Sequence, residues 1–134
     1  MNFLEDVKTV GIVGLSRDAK KPSHLVAQFL QKQGVRIIPI NPKSSVLLGE
    51  KSYTSIADVQ KEIHLDVVAI YRNSEAMPAI ISEIIQRGQI STIWIPQGAQ
   101  HVQAELKAFH HGITVITNFC LLHEYKKLVG KKRF

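Results

Sequence analysis

A doubly wound α/β three-layer sandwich is the fold that the sequence predicts, on three grounds. Short runs of near-continuous Val and Ile, in "KTVGIVG", "VRIIPIN" and "LDVVAIY", have the composition of parallel strands buried on both faces. Segments of helical periodicity separate them, and glycines stand where those segments stop. The alternation of strand and helix is regular, as in successive βαβ units. With right-handed crossovers, five parallel strands are expected in the order 3-2-1-4-5, which reverses beside strand 1.

The elements follow in turn. Strand 1 is Lys8–Gly14. "SHLVAQFLQKQG" places Leu25, Val26, Phe29 and Leu30 on one helical face and stops at Gly34. "VRIIPIN" is strand 2, and "TSIADVQKEI" a short helix capped by Thr54 or Ser55. "LDVVAIY" is strand 3. "SEAMPAIISEIIQRG" is a helix with Ser74 as N-cap, Glu75 favoured by the dipole of the first turn, and Gly88 as an αL cap. "STIWIP" is strand 4, with Trp94 in the core, and "AQHVQAELKAFHHG" a helix ending at Gly112. "ITVIT" is strand 5 and "NFCLLHEYKKL" the last helix. Residues 129–134 form a basic end, expected to be a frayed, solvated tail.

The 134 residues suit one domain, and a chain of that length buries roughly two thirds of its unfolded surface without metal or disulfide. Cys120 is the single cysteine, which excludes an internal disulfide framework and fits a reducing compartment. "MNFLEDVKTV" has acids where a signal peptide has a basic region, and no window reaches the length of a membrane span. A cytoplasmic location and no membrane partner are therefore expected. The net charge is +6. Part of it lies in the tail, where contact with nucleic acid is the weaker reading. Arg17, Lys20, Lys21, Lys43 and Arg72 instead fall in loops, and such an excess suggests a phosphorylated ligand.

In doubly wound sheets the ligand sits outside the carboxyl ends of the strands, where the order reverses. The segments after the five strands are "GLSRDAKKPSH", "NPKS", "RNS", "PQGA" and "TNFC". They hold hydroxyls, amides, a glycine and cations, with Asp18 as the single acid. Such a rim suits a polyanion. The first loop has the spacing Gly11-x-x-Gly14-x-Ser16, which is neither the dinucleotide fingerprint nor a Walker loop. After strand 2 stands Asn41-Pro42-Lys43 in place of the acid that holds the ribose diol of NAD. That disfavours NAD and leaves NADP or a 3′-phosphorylated nucleotide.

Each part of the rim has a physical role on this reading. Gly14 would let the backbone approach a pyrophosphate, and Ser16 would donate a hydroxyl hydrogen bond. Pro22 and Ser23 open a helix whose free N–H groups attract an anion. Arg17, Lys20 and Lys21 would screen the phosphates. Alternatively, Gly14 and Ser16 only make a tight turn. His24 either binds phosphate or stacks on the loop. Met77 and Pro78, near the rim, either cover an adenine or pack. His110-His111 reads as a solvated helix end, since adjacent helical residues point apart. Cys120-x-x-His123-Glu124 is the best candidate catalytic set, but core packing is the favoured reading of Cys120.

"VGIVGLSRDAKKPSHLVAQFLQKQGVRIIPINP" resembles the small single-domain CoA-binding proteins, related to the CoA-binding domain of succinyl-CoA synthetases. The residues that carry the resemblance are Gly14-Leu15-Ser16, Pro22-Ser23-His24 and Asn41-Pro42. It continues in "LLGEKSYTSIADV", "VVAIYRNSEAMP", "IWIPQGA" and "CLLHEY", from about Val7 to Leu128. The resemblance implies a Rossmann-like fold that binds coenzyme A or an acyl-CoA. By matching motif, Gly14, Leu15, Ser16 and Ser23 would hold the pyrophosphate, and Pro42 and Lys43 would flank the adenosine 3′-phosphate. Tyr71 and Arg72 would line the nucleotide, and Gln97 and Gly98 the pantetheine path. Arg17, Lys21, His24 and Met77 complete the expected binding set. Asn118-Phe119 departs from relatives, which often carry a charge just before the cysteine. A mixed disulfide between Cys120 and the CoA thiol is the functional alternative to core packing. No acid–base pair faces the expected crevice, so binding without catalysis is expected. The alternatives are an NADP-dependent oxidoreductase or a CoA-dependent transferase subunit that needs a partner chain.

Overall fold

The computed structural model describes residues 2–132. β1 (Thr9–Val13) leads through α1 (Pro22–Lys32) to β2 (Arg36–Ile40), then to a small antiparallel hairpin of β3 (Val46–Leu47) and β4 (Glu50–Lys51). A 3-10 turn, Ile56–Asp58, precedes β5 (Leu65–Ile70). The chain continues through α2 (Met77–Arg87), β6 (Ile90–Ile95), α3 (Val102–His110), β7 (Thr114–Thr117) and α4 (Leu121–Lys132).

Strand alternation divides the interior into two cores. Val10, Ile12, Val67, Ala69 and Trp94 face α1 and α4, which answer with Val26, Leu30, Leu121 and Tyr125. Val13, Ile38, Val68, Ile70 and Ile93 face α2 and α3, which answer with Ile81, Ile84, Ala104 and Ala108. Each strand side chain points opposite to its neighbour, so a near-continuous apolar run fills both layers. The expected three-layer α/β sandwich is present. Asp66 fixes the start of the central pair, its carboxylate accepting from the amides of Lys8 at 2.8 Å and Thr9 at 3.0 Å.

The strand order is β2-β1-β5-β6-β7, all parallel. Counting only these five strands, this is 2-1-3-4-5, which corrects the expected 3-2-1-4-5. The third strand pairs with β1, not with the outside of β2. Pro39 supplies the reason. Its carbonyl faces outward to accept from the amide of Tyr53 at 3.0 Å, and on that side it has no N–H to offer a neighbour. The end of β2 is closed instead by a short parallel bridge from Tyr53 to Ile40. The reversal of strand order stays beside β1, at the carboxyl edge where doubly wound sheets take their ligands.

Several local expectations change. Asn73, not Ser74, supplies the cap before α2, its Oδ1 accepting from the Ala76 amide at 3.0 Å. The turn of 3-10 helix at Ser74–Ala76 rotates Met77 inward, where it is wholly buried. Met77 therefore packs in the core and is not on the rim. Residues 129–132 continue α4 instead of fraying, and residues 133–134 lie outside the described residues. Arg87 is buried and ties the 59–63 segment down. Its guanidinium donates to the carbonyls of Val59 at 3.1 Å, Gln60 at 2.6 Å, Ile63 at 2.9 Å and Gly88 at 2.7 Å.

Candidate functional site

The β1–α1 loop is built by its own side chains. Ser16 is its hub. The amide of Ser16 donates to Ser23 Oγ at 2.9 Å, and the carbonyl accepts from His24 Nδ1 at 2.8 Å. Ser16 Oγ accepts from the Asp18 amide at 3.0 Å, which leaves the hydroxyl proton free to donate. Asp18 closes a second turn by accepting from the Lys20 amide at 2.9 Å. The expected phosphate loop is thus held rigid by Ser23 and His24 from the first turn of α1. His24 is buried beneath the loop with Nδ1 committed, so it positions the loop. Leu15 contributes only backbone, since its side chain is fully buried.

Gly14 has a reason of its own. Its φ is +83°, and a Cβ there would lie 2.5 Å from the carbonyl oxygen of Tyr71. The ends of β1 and β5 come together at this point, and only glycine permits the approach. Asn41 braces the third side. Its Nδ2 donates to the Leu15 carbonyl at 2.9 Å, and its Oδ1 accepts from the Lys43 amide at 2.8 Å. The Asn-Pro pair therefore locks the β2 end to the β1 loop.

Two clefts open at this edge, one on each face of the sheet. The first, about 450 Å³, is lined by Gly14, Asn41, Pro42, Lys43 and Arg72, with Ile40, Ile56 and Ile80 as apolar walls and Thr54, Ser55 and Glu83 beside them. The second, about 270 Å³, is mostly apolar and lies over the other layer. Pro22, Leu25, Tyr71, Trp94, Pro96, Gln97 and the start of α4 from Phe119 to Leu122 enclose it. Gly14 belongs to the first cleft and Pro22 to the second, so the β1–α1 loop bridges them. Among the described residues, Arg17, Lys20, Lys21, Lys43 and Arg72 take part in no ion pair.

Most of the expected binding residues thus converge on one edge. Gly98 lies at the exposed tip of its turn, its amide taken by Gln100 Oε1 at 2.8 Å, while Gln97 lines the second cleft. Cys120 is exposed on that cleft, which corrects the expectation of core packing. It precedes α4, and its carbonyl accepts from the Glu124 amide at 3.0 Å. Trp94 is buried as expected, and its indole N–H holds the turn by donating to the Phe119 carbonyl at 2.8 Å. Burial first, and the nearby Cys120 second, push the Tyr71 phenol well above the usual tyrosine range, so it stays protonated. His110 and His111 are exposed at the end of α3, with His111 Nδ1 donating to the Lys107 carbonyl.

Glu83 is the acid that the sequence reading missed. It reaches the rim from the second turn of α2, one helical turn beyond Ile80, so no segment directly after a strand contains it. The same holds for Thr54, Ser55 and Ile56, which the β2–β5 connection carries back to the first cleft.

Fold and edge together define a Rossmann-like domain with a cationic cleft, a bridging loop and an apolar cleft. The chain belongs to the CoA binding domain family, whose model matches residues 8–126. It is 31% identical over 119 residues to the uncharacterized protein YneT of Bacillus subtilis (strain 168), covering 89% of this chain and 86% of that one. It is 28% identical over 93 residues to an ADP-forming acetate–CoA ligase of Archaeoglobus fulgidus, covering 68% of this chain but only 14% of the ligase. The solved structure of cell-free ID.343 from Thermus thermophilus superposes with a TM-score of 0.88 at 28% identity, covering 95% of this chain and 94% of that one.

Proposed function

We propose that the chain binds coenzyme A or an acyl-CoA across the carboxyl edge of its sheet. The observation that carries this reading is the pair of unlike clefts joined by one loop. The nucleotide end would occupy the first cleft, with Lys43 and Arg72 against the 3′-phosphate. Those two cations have no carboxylate partner among the described residues, so their charge is available to a ligand. The pyrophosphate would lie on the β1–α1 loop, facing the free Ser16 hydroxyl proton and the start of α1. The pantetheine arm, and an acyl group if present, would enter the second cleft beside Leu25, Trp94 and Phe119. Its apolar lining suits a flexible chain with few charges. The family and the ligase relatives favour CoA over other ligands with a 3′- or 2′-phosphate.

The test compares CoA with 3′-dephospho-CoA on the native chain and on Lys43→Ala. A hydrogen bond to a charged group contributes about 1.5–3 kcal/mol, so the native chain should prefer CoA by about tenfold or more. In Lys43→Ala that preference should shrink towards one, while 3′-dephospho-CoA binds as before. Equal loss for both ligands would place Lys43 elsewhere on the molecule. No preference in the native chain would remove the 3′-phosphate from the first cleft.

A further inference from the structure

Glu83 is out of keeping with a cleft built for phosphates. It is half-buried, and among the described residues its carboxylate has neither an ion pair nor a side-chain hydrogen bond. Lys43 and Arg72 line the same cleft but do not pair with it. An ionised carboxylate only accepts hydrogen bonds. Water reaches it in the open cleft, so a ligand that fills the cleft displaces that water and must supply a donor in its place. A phosphate cannot supply one, because it brings like charge. The donors of an adenine nucleotide are the hydroxyls of its ribose and the amine of its base.

The surroundings choose between these. Ile80 stands one turn before Glu83 on the same face of α2, and Ile56 lies across the cleft on the 3-10 turn that packs against α2. Aliphatic walls beside a lone acceptor suit the flat face of a base with an amine at its edge. They do not suit a ribose, which is polar on most sides and carries a phosphate that the carboxylate would repel.

We propose that Glu83 reads the exocyclic amine of the base, so that the first cleft selects a 6-aminopurine over a 6-oxopurine. In the pose that sets the 6-position on Glu83, a 6-oxopurine would place its carbonyl oxygen against the carboxylate, two acceptors with no proton between them, and its N1–H would reach the carboxylate only by a shift of the base against Ile56 and Ile80. This inference rests on the nucleotide reading of the same cleft. Losing a hydrogen bond to a charged group while leaving that group unpaired should cost about 10- to 100-fold in affinity.

The experiment titrates adenosine 3′,5′-bisphosphate and inosine 3′,5′-bisphosphate into the native chain and into Glu83→Gln, with thermal melts to check that the variant folds. The native chain should favour the adenosine compound by about 10- to 100-fold. Glu83→Gln should bring the ratio close to one, chiefly by gain of the inosine compound, since an amide can turn either its oxygen or its nitrogen to the base. A native ratio of one would overturn the proposal while leaving the cleft a nucleotide site. So would a ratio that survives Glu83→Gln. So would a 2′-deoxyadenosine compound that loses affinity only in the native chain, which would assign Glu83 to the ribose. If neither compound bound the native chain, the nucleotide reading would fail as well.

Discussion

Gly14→Ala tests whether the meeting of β1 and β5 is as rigid as the site requires. The backbone at Gly14 has φ +83°, and its amide donates to the Ile40 carbonyl at 2.9 Å. Beside it, the Tyr71 amide donates to the Val13 carbonyl at 2.8 Å, so neither strand end is free to move. A new Cβ would meet the Tyr71 carbonyl oxygen at 2.5 Å and Arg72 Cδ at 3.3 Å. Gly98 provides the control: φ is +89° and nothing lies within 4 Å of its notional Cβ. Left-handed strain alone costs about 1–2 kcal/mol for alanine. Forcing a methyl into packed backbone adds about 1–3 kcal/mol. At about 4 °C per kcal/mol for a chain of this size, Gly98→Ala should lower Tm by about 4–8 °C and Gly14→Ala by about 8–20 °C. Thermal melts followed by circular dichroism measure both. Nucleotide affinity should fall in Gly14→Ala and hold in Gly98→Ala. Equal Tm shifts would mean that the two strand ends part easily, and would refute a preformed edge.

Three further outcomes follow from the same structure. Arg87→Met removes four hydrogen bonds to carbonyls around residues 59–63 and 88, and should destabilise the fold by about 3 kcal/mol in urea unfolding. A loss below about 1 kcal/mol would mean that water replaces the guanidinium freely. Iodoacetamide should alkylate Cys120 readily in the free protein and markedly more slowly under saturating CoA, because Cys120 is exposed on the second cleft. Equal alkylation rates by mass spectrometry would take the pantetheine arm out of that cleft. Stability should fall as pH rises above the ordinary tyrosine value of 10.0, because burial holds Tyr71 protonated in the fold while the unfolded chain releases its proton. The unfolded state then binds fewer protons, so the full contribution is present below that pH. Tyr71→Phe should lessen the alkaline loss, and an unchanged pH dependence would assign it to other groups.

β1, β2, β5 and β6 were legible because most of their residues are buried and so are rich in Val and Ile; the edge strand β7 is only half-buried, and Thr opens and closes it. The loop was legible because its chemistry is local: Ser16, Asp18, Ser23 and His24 interact within eight residues of one another. The strand order was misread although its signal was present. Pro39 inside "VRIIPIN" marks β2 as an edge, and an edge whose end Tyr53 closes leaves β5 to pair with β1. Met77 was misplaced because the 3-10 turn after Asn73 shifts the phase of α2, which no periodicity within the helix reveals. Cys120 was read as core because α4 starts outside the sheet, over the second cleft, and that depends on the Trp94 bond to the Phe119 carbonyl. Glu83 was invisible because it joins the site through space, from the side of a helix.

Whether the two clefts hold one CoA molecule is decided by calorimetric titration with CoA, 3′-dephospho-CoA and NADP. CoA should bind, its affinity should fall by about tenfold or more without the 3′-phosphate, and NADP should bind more weakly, since it has no pantetheine arm for the second cleft. Binding of NADP with no response to CoA would contradict this, and would turn the same cationic cleft into the site of an oxidoreductase.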